Sequence, residues 1–156
     1  METLHGLADL EASIDKEVGP TDWFTIDQDR VNGFAHDTED HQWIHVDPER
    51  AAAGPFGGTV AHGFLTLALI PFLMGQLRRV EGAQMGVSYG LDRVRFPAPV
   101  RVGRRIRARA AVISLDKIGD AAVHLVTRVT IEVEGSDKPA CVAEVVSRYY
   151  FGAPVT

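Results

Sequence analysis

The densest chemistry in the chain lies between Phe34 and Asp47, where three histidines (His36, His41, His45) and four carboxylates (Asp37, Glu39, Asp40, Asp47) fall within fourteen residues. A carboxylate and an imidazole held close together can grip one water molecule and share the work of moving its proton, because histidine titrates near neutral pH. Asp40 and His45 are the candidate pair. The same residue types suit a metal: His36, His41 and His45, with Asp37 or Asp40, offer the imidazole and carboxylate donors that zinc and iron take. Spacing alone leaves a third reading, in which these are polar residues of a solvated loop. A second feature is His62-Gly63, set just before a long apolar run. Backbone N–H groups at a helix start are unpaired and carry the positive end of the helix dipole, which suits a developing oxyanion. Glycine there lets the backbone approach a substrate closely. His62 itself reads as structural, placed at the mouth of a buried helix.

These residues need elements to hold them. From Asp27 the pattern is helical, with Asp27 as N-cap and Val31, Phe34 and Ala35 on one apolar face. A second short helix is predicted after Asp47, with Pro48 in its first turn and Gly54 as its stop, followed by the turn-rich stretch 54–58. The segment Ala61 to Leu77 is apolar in almost every direction around a helix, which predicts burial on all sides, and Pro71 inside it predicts a kink.

After Gly82 the period changes to two. Strands are predicted around Val87 to Phe96, Arg105 to Val112, Val123 to Glu134 and Cys141 to Phe151, with loops near 117–120 and 135–139, the pattern of an antiparallel meander. One apolar helix followed by a long antiparallel sheet has a direct packing solution, in which the sheet curls around the helix. The expected class is therefore α+β, the hot-dog fold, with a first strand at Trp23 to Ile26. Such a sheet keeps edge strands, which invite pairing with a second copy, so a homodimer is expected.

Composition narrows the field. The 156 residues are read as one domain, 1–156. Lys and Arg total 16 against 21 Asp and Glu, a net charge of -5, which argues against nucleic acid or anionic lipid as a partner. The longest apolar run, Phe64 to Met74, is about half of the ~20 residues a bilayer crossing needs. The N-terminal stretch lacks a basic start and an apolar core, and the lone Cys141 forms no internal disulfide; both fit a cytoplasmic protein. Cys141 reads as a small core residue. The stripe Arg101, Arg104, Arg105, Arg107 and Arg109 reads most simply as a solvated strand face, with phosphate binding as its sharper alternative.

The stretch Asp40-His41-Gln42-Trp43-Ile44-His45-Val46-Asp47 resembles the hydratase motif of the MaoC-like (R)-specific enoyl-CoA hydratases, written G-D-x-N-P-[IL]-H-x-D. Asp40 and His45 fall on the two active-site positions of that motif, and Asp47 on its trailing Asp. The H-G pair that opens the family's central helix is matched by His62-Gly63, and Val94-Arg95-Phe96-Pro97-Ala98-Pro99-Val100 resembles the family's strand and turn after the helix. The wording from Asp40 through Ala51 is similar to a subgroup that includes NodN-like proteins. Three positions depart from the motif: Glu39 stands for its Gly, Gln42 for its Asn and Trp43 for its Pro. The Ser that some members carry within the central helix is Pro71, to which no role transfers.

The resemblance implies reversible hydration of an enoyl-CoA by Asp40 and His45, with the Gly63 N–H on the thioester oxygen. It implies an acyl-CoA substrate and no metal or other cofactor. The alternatives are a hot-dog acyl-CoA thioesterase, a dehydratase of carrier-protein thioesters, and a non-catalytic acyl-thioester binder or partner subunit.

Overall fold

The computed structural model describes residues 1–152. The chain opens with β1 (Glu2–His5), α1 (Gly6–Ala12) and two short strands, β2 (Glu17–Val18) and β3 (Phe24–Thr25). Three helices follow, α2 (Gln28–Thr38), α3 (Trp43–Val46) and α4 (Pro48–Ala52), and then a central helix in two pieces, α5 (Gly63–Ala68) and α6 (Ile70–Leu77). The rest is strand: β4 (Arg78–Glu81), β5 (Met85–Arg95), β6 (Arg105–Ile118), β7 (Ala122–Val133) and β8 (Cys141–Tyr150).

The sheet runs β2-β6-β7-β8-β5, antiparallel throughout, with β3 also bonded to β6. The expected first strand, Trp23 to Ile26, is present as the short β3, and β2 joins the same neighbour ahead of it. Period-two alternation puts Ile106, Ala108, Ala110, Val129, Ile131, Cys141 and Ala143 on the face that wraps the central helix. The helix answers with Leu65, Leu69, Leu73 and Leu77, one every four residues along a single buried stripe. Fully burying a leucine such as Leu73 is worth roughly 1.5–3 kcal/mol.

The expectation of burial on every side fails. Phe64 is 69% and Phe72 48% exposed, so one flank of the helix faces outward; Phe72 still leans on Phe24, with ring centroids 4.9 Å apart. The kink is present. Leu69 separates α5 from α6, and Pro71 sits in the first turn of α6, where the missing N–H is tolerated.

Sequence reasoning assigned no element to the first sixteen residues. There β1 pairs in parallel with β4, and Leu4 and Leu10 bury against Val112 and Leu125 in a satellite cluster. The arginine stripe is mostly paired: Arg105 with Glu134, Arg107 with Glu132, and Arg109 with Glu132 and Glu17. Arg107 also lies over the Trp23 ring at 4.4 Å. Cys141 is fully buried, and burial pushes its thiol up to about 11, far from a reactive thiolate.

Candidate active site

Between the sheet's first strands and α5, the helices α2, α3 and α4 form a clamp around the His45 backbone. Asp27 caps α2, accepting from the Arg30 N–H at 2.8 Å as its position predicted. From the first position of α2, the Gln28 side-chain amide donates to the His45 carbonyl at 2.8 Å, while its oxygen accepts from Thr59 Oγ1 at 2.6 Å. Asp47 caps α4 through Arg50 N–H at 3.0 Å, so the trailing Asp of the motif does structural work here. Glu39, standing where the motif has glycine, ends α2 with φ +58°, in the left-handed region that glycine favours.

His45 lies on α3, a single helical turn too short to show a period in the sequence, and is buried. Its Nδ1 is 2.6 Å from the Val60 carbonyl oxygen. A carbonyl can only accept, so Nδ1 carries the proton and Nε2 keeps a free lone pair. Burial lowers the His45 pKa below its ordinary 6.5; the neighbouring His62 adds to this, while the Val60 hydrogen bond and Asp40 oppose it. The imidazole is therefore neutral at physiological pH and poised as a base.

His62 stacks on His45, with ring centroids 3.7 Å apart and planes inclined by 24°. Its Nε2 donates to the Asp40 backbone carbonyl at 3.0 Å, leaving Nδ1 buried with no partner among the described residues. That single bond ties the Asp40 loop to the mouth of α5. Asp40 is exposed, and its carboxylate accepts a long 3.5 Å contact from the Gln42 N–H. Ligand atoms of Asp40, His45 and His62 all lie within 4.8 Å of one another.

Gly63 follows His62 as the first residue of α5, whose opening N–H groups have no helical acceptor. A Cβ at Gly63 would sit 2.9 Å from the Phe96 ring, so close packing as well as access demands glycine there.

The structure brings Asp40, His45 and the His62-Gly63 pair together and leaves the rest of the dense segment out. His36 and Asp37 lie on the exposed side of α2, and His41 turns to Glu39, 3.5 Å away. The metal set built on His36 and His41 is thus not assembled. For the trio that is assembled, the two imidazoles are stacked, with ring centroids 3.7 Å apart and planes inclined by 24°. An ion held ~2.0–2.1 Å from a nitrogen in the plane of one ring would lie off the plane of the other. The geometry suits proton transfer better than chelation.

His62 and Gln28 join the site through contacts that the sequence does not show. His62 was read as a structural residue of the helix mouth, and its neighbour Gly63 was the available signal that it stands beside the chemistry. Nothing in the sequence marked Gln28.

Against protein families, residues 9–135 match the MaoC like domain. The chain belongs to the MaoC-like family. Among MaoC-like relatives, it is 55% identical over 149 residues to "3-hydroxyacyl-thioester dehydratase Z" of Mycobacterium tuberculosis, covering 96% of this chain and 99% of that one. It is 42% identical to "Nodulation protein N" of Rhizobium leguminosarum, covering 93% and 91%. Among solved structures, the (R)-hydratase from A. caviae involved in PHA biosynthesis superposes with a TM-score of 0.66 at 26% identity, over 86% of this chain and 94% of that one. The hot-dog reading and the resemblance drawn from Asp40, His45 and His62-Gly63 both stand. Among the described residues no helix is long and apolar enough to cross a membrane.

Proposed function

We propose that the protein is a hydro-lyase that reversibly adds water to trans-2-enoyl-CoA, giving (R)-3-hydroxyacyl-CoA, with Asp40 and His45 as its catalytic residues. The observation that carries this reading is the tautomer of His45 fixed by the Val60 carbonyl, on a ring that lies with the Asp40 carboxylate and His62 in a cluster whose ligand atoms are within 4.8 Å of one another, at the opening turn of α5. In the forward direction a water held by the pair attacks the β-carbon and gives its proton to the pair. The C=C electrons move toward the thioester carbonyl, whose oxygen gathers charge on the Gly63 N–H. The α-carbon then takes a proton back from the pair, so the site ends as it began. This chemistry asks for no metal and no redox cofactor; the substrate brings its own CoA.

The subunit arrangement is part of the proposal. One edge of β5 is unbonded in the described chain, and Met85, Val87, Tyr89 and Leu91 along it are exposed. A second copy paired there would bury that apolar edge and deepen the cleft beside α5. Light scattering at micromolar concentration should report a dimer, and a monomer would refute this part.

Loss of 2-enoyl-CoA absorbance on adding the purified protein alone tests the reaction. Release of free thiol in place of hydration would make the protein a thioesterase, and failure of both would leave a binding subunit.

A further inference from the structure

Behind the central helix, away from His45, the fold holds a cavity of about 280 Å³ between α6 and strands β5, β7 and β8. Its walls are mixed. Ile70 and Met74 line it on the helix side, Ser88 and Ser147 on the sheet side, and Tyr149 and Arg78 also border it. A pocket shaped for a plain hydrocarbon tail has no use for a guanidinium.

Arg78 is 95% buried, with 5% of its side chain exposed. Its Nε donates to Glu2 at 2.7 Å, yet its Nη2 is buried and without a partner among the described residues. Guanidinium carries five donors in a planar fork that matches a carboxylate, and a buried donor left unsatisfied is costly enough to be rare. Tyr149 stands close by: burial raises its phenol pKa, and the positive charge of Arg78 opposes that rise. The phenol therefore stays protonated, a second donor beside the first.

The cavity also connects toward the catalytic end. A shallow hollow beside Leu67 and Ala68 shares Ile70 and Ser88 with it, and Leu67 lies one turn beyond Gly63 on the same helix flank. At a rise of about 1.5 Å per residue, Ile70 is roughly 10 Å and Arg78 roughly 22 Å beyond Gly63. A thioester held at Gly63 would send a medium-length acyl chain along this path, apolar first and polar at its end.

We infer that the acyl chains this enzyme selects end in a carboxylate, received by the Arg78 guanidinium and the Tyr149 hydroxyl at the far end of the cavity. The inference rests on the hydratase reading for the position of the thioester, and it makes Arg78 a specificity residue with no part in the chemical step.

The test compares dodec-2-enoyl-CoA with dodec-2-enedioyl-CoA, which differ in having a methyl or a carboxylate at the chain end. Wild type should show a kcat/KM at least about tenfold higher for the dioyl substrate, in the range that one charge-assisted buried contact provides. Arg78→Met should lose that preference while keeping its rate on the plain chain. Arg78→Lys retains a partner for Glu2 and guards against a folding defect in the first variant; it should keep only part of the preference. Equal kcat/KM values in the wild type would overturn the inference and leave the hydratase standing, with Arg78 as no more than the counter-ion that fastens β1.

Binding read by thermal shift with the saturated dodecanoyl-CoA and dodecanedioyl-CoA separates the two readings. If no enoyl-CoA turns over but the dioyl ligand stabilises the wild type more than Arg78→Met, the cavity assignment survives and the hydratase reading falls. Equal stabilisation by the two ligands overturns the cavity assignment.

Discussion

Two polar groupings in this molecule use similar residues to opposite ends. Along the outer face of β6 and β7, Arg105, Arg107 and Arg109 meet Glu134, Glu132 and Glu17, so each charge has an opposite partner and the group is electrostatically closed. At the mouth of α5, the His45 and His62 rings are each held through one nitrogen by a backbone carbonyl, that of Val60 and that of Asp40. That leaves one lone pair on each imidazole and an open carboxylate. Pairing charge with charge holds strands together, whereas pinning a ring through one nitrogen fixes its position and spares the other nitrogen for chemistry.

The contrast breaks most sharply if the inner group is dispensable. Asp40→Asn and His45→Gln should each lower turnover of a short 2-enoyl-CoA by on the order of 10² to 10⁴, the range for loss of a positioned proton-transfer group. The double variant should fall little further than the worse single one, because the pair acts as a unit. His36→Gln and Asp37→Asn, exposed on α2, should stay within a few-fold. If they are as inactive as the Asp40 and His45 variants, the assignment of the pair is wrong. Melting temperatures of the inactive variants should hold or rise, since catalytic polar groups are kept at some cost to stability.

His62 sharpens the comparison at a smaller scale. His62→Phe keeps a ring against His45 but removes the N–H that holds the Asp40 carbonyl, and kcat/KM should drop about tenfold as the loop loosens. The pH profile gives an independent readout. With His45 as the neutral base of the proposed reaction and its pKa below 6.5, the acid limb of kcat/KM should fall below pH 6.5. His62 is one of the groups lowering that pKa, so His62→Phe should shift the limb upward. The sign for stability follows from the same shift. Unfolded His45 takes up its proton near 6.5, before the folded form does, so acidification from 6.5 down through the lowered pKa should cost stability, and none of that cost should appear above 6.5.

The outer grouping should be nearly silent. Arg107→Met should leave turnover unchanged and alter unfolding free energy by less than about 1 kcal/mol, the usual worth of a half-exposed ion pair. A large loss of activity there would move the sharper phosphate-binding reading of the stripe to the front. The smallest effect is expected at Glu39, held at φ +58°. Glu39→Gly should relieve left-handed strain and stabilise by at most about 1 kcal/mol in chemical denaturation, part of the relief being offset by the greater freedom of glycine when unfolded.

What could be read without coordinates followed periodicity and capping. The long strands announced themselves by alternation, α2 by Asp27 and its apolar spacing, and the bend of the central helix by Pro71. Asp40 and His45 were legible because their order along the chain matched a motif. The single turn of α3 was not, since four residues carry no period, and neither was β1, whose partner β4 lies more than seventy residues away. The contacts of His62 were not legible either, because stacking and a bond to a main-chain carbonyl depend on the path of a distant loop. The outward flank of the central helix escaped for a related reason: hydrophobicity in every direction does not say which directions the sheet reaches.

The break at Leu69 has an evolutionary consequence. Pro71 cannot donate to the Leu67 carbonyl, so the helix lacks one rung where α5 meets α6, and a substitution that reshapes the walls near Met74 should be absorbed at that gap before it can turn Gly63. On the proposed reading, tolerance of new acyl chains and retention of the reaction are thereby mechanically decoupled, and a lineage could retool one while the other stays fixed.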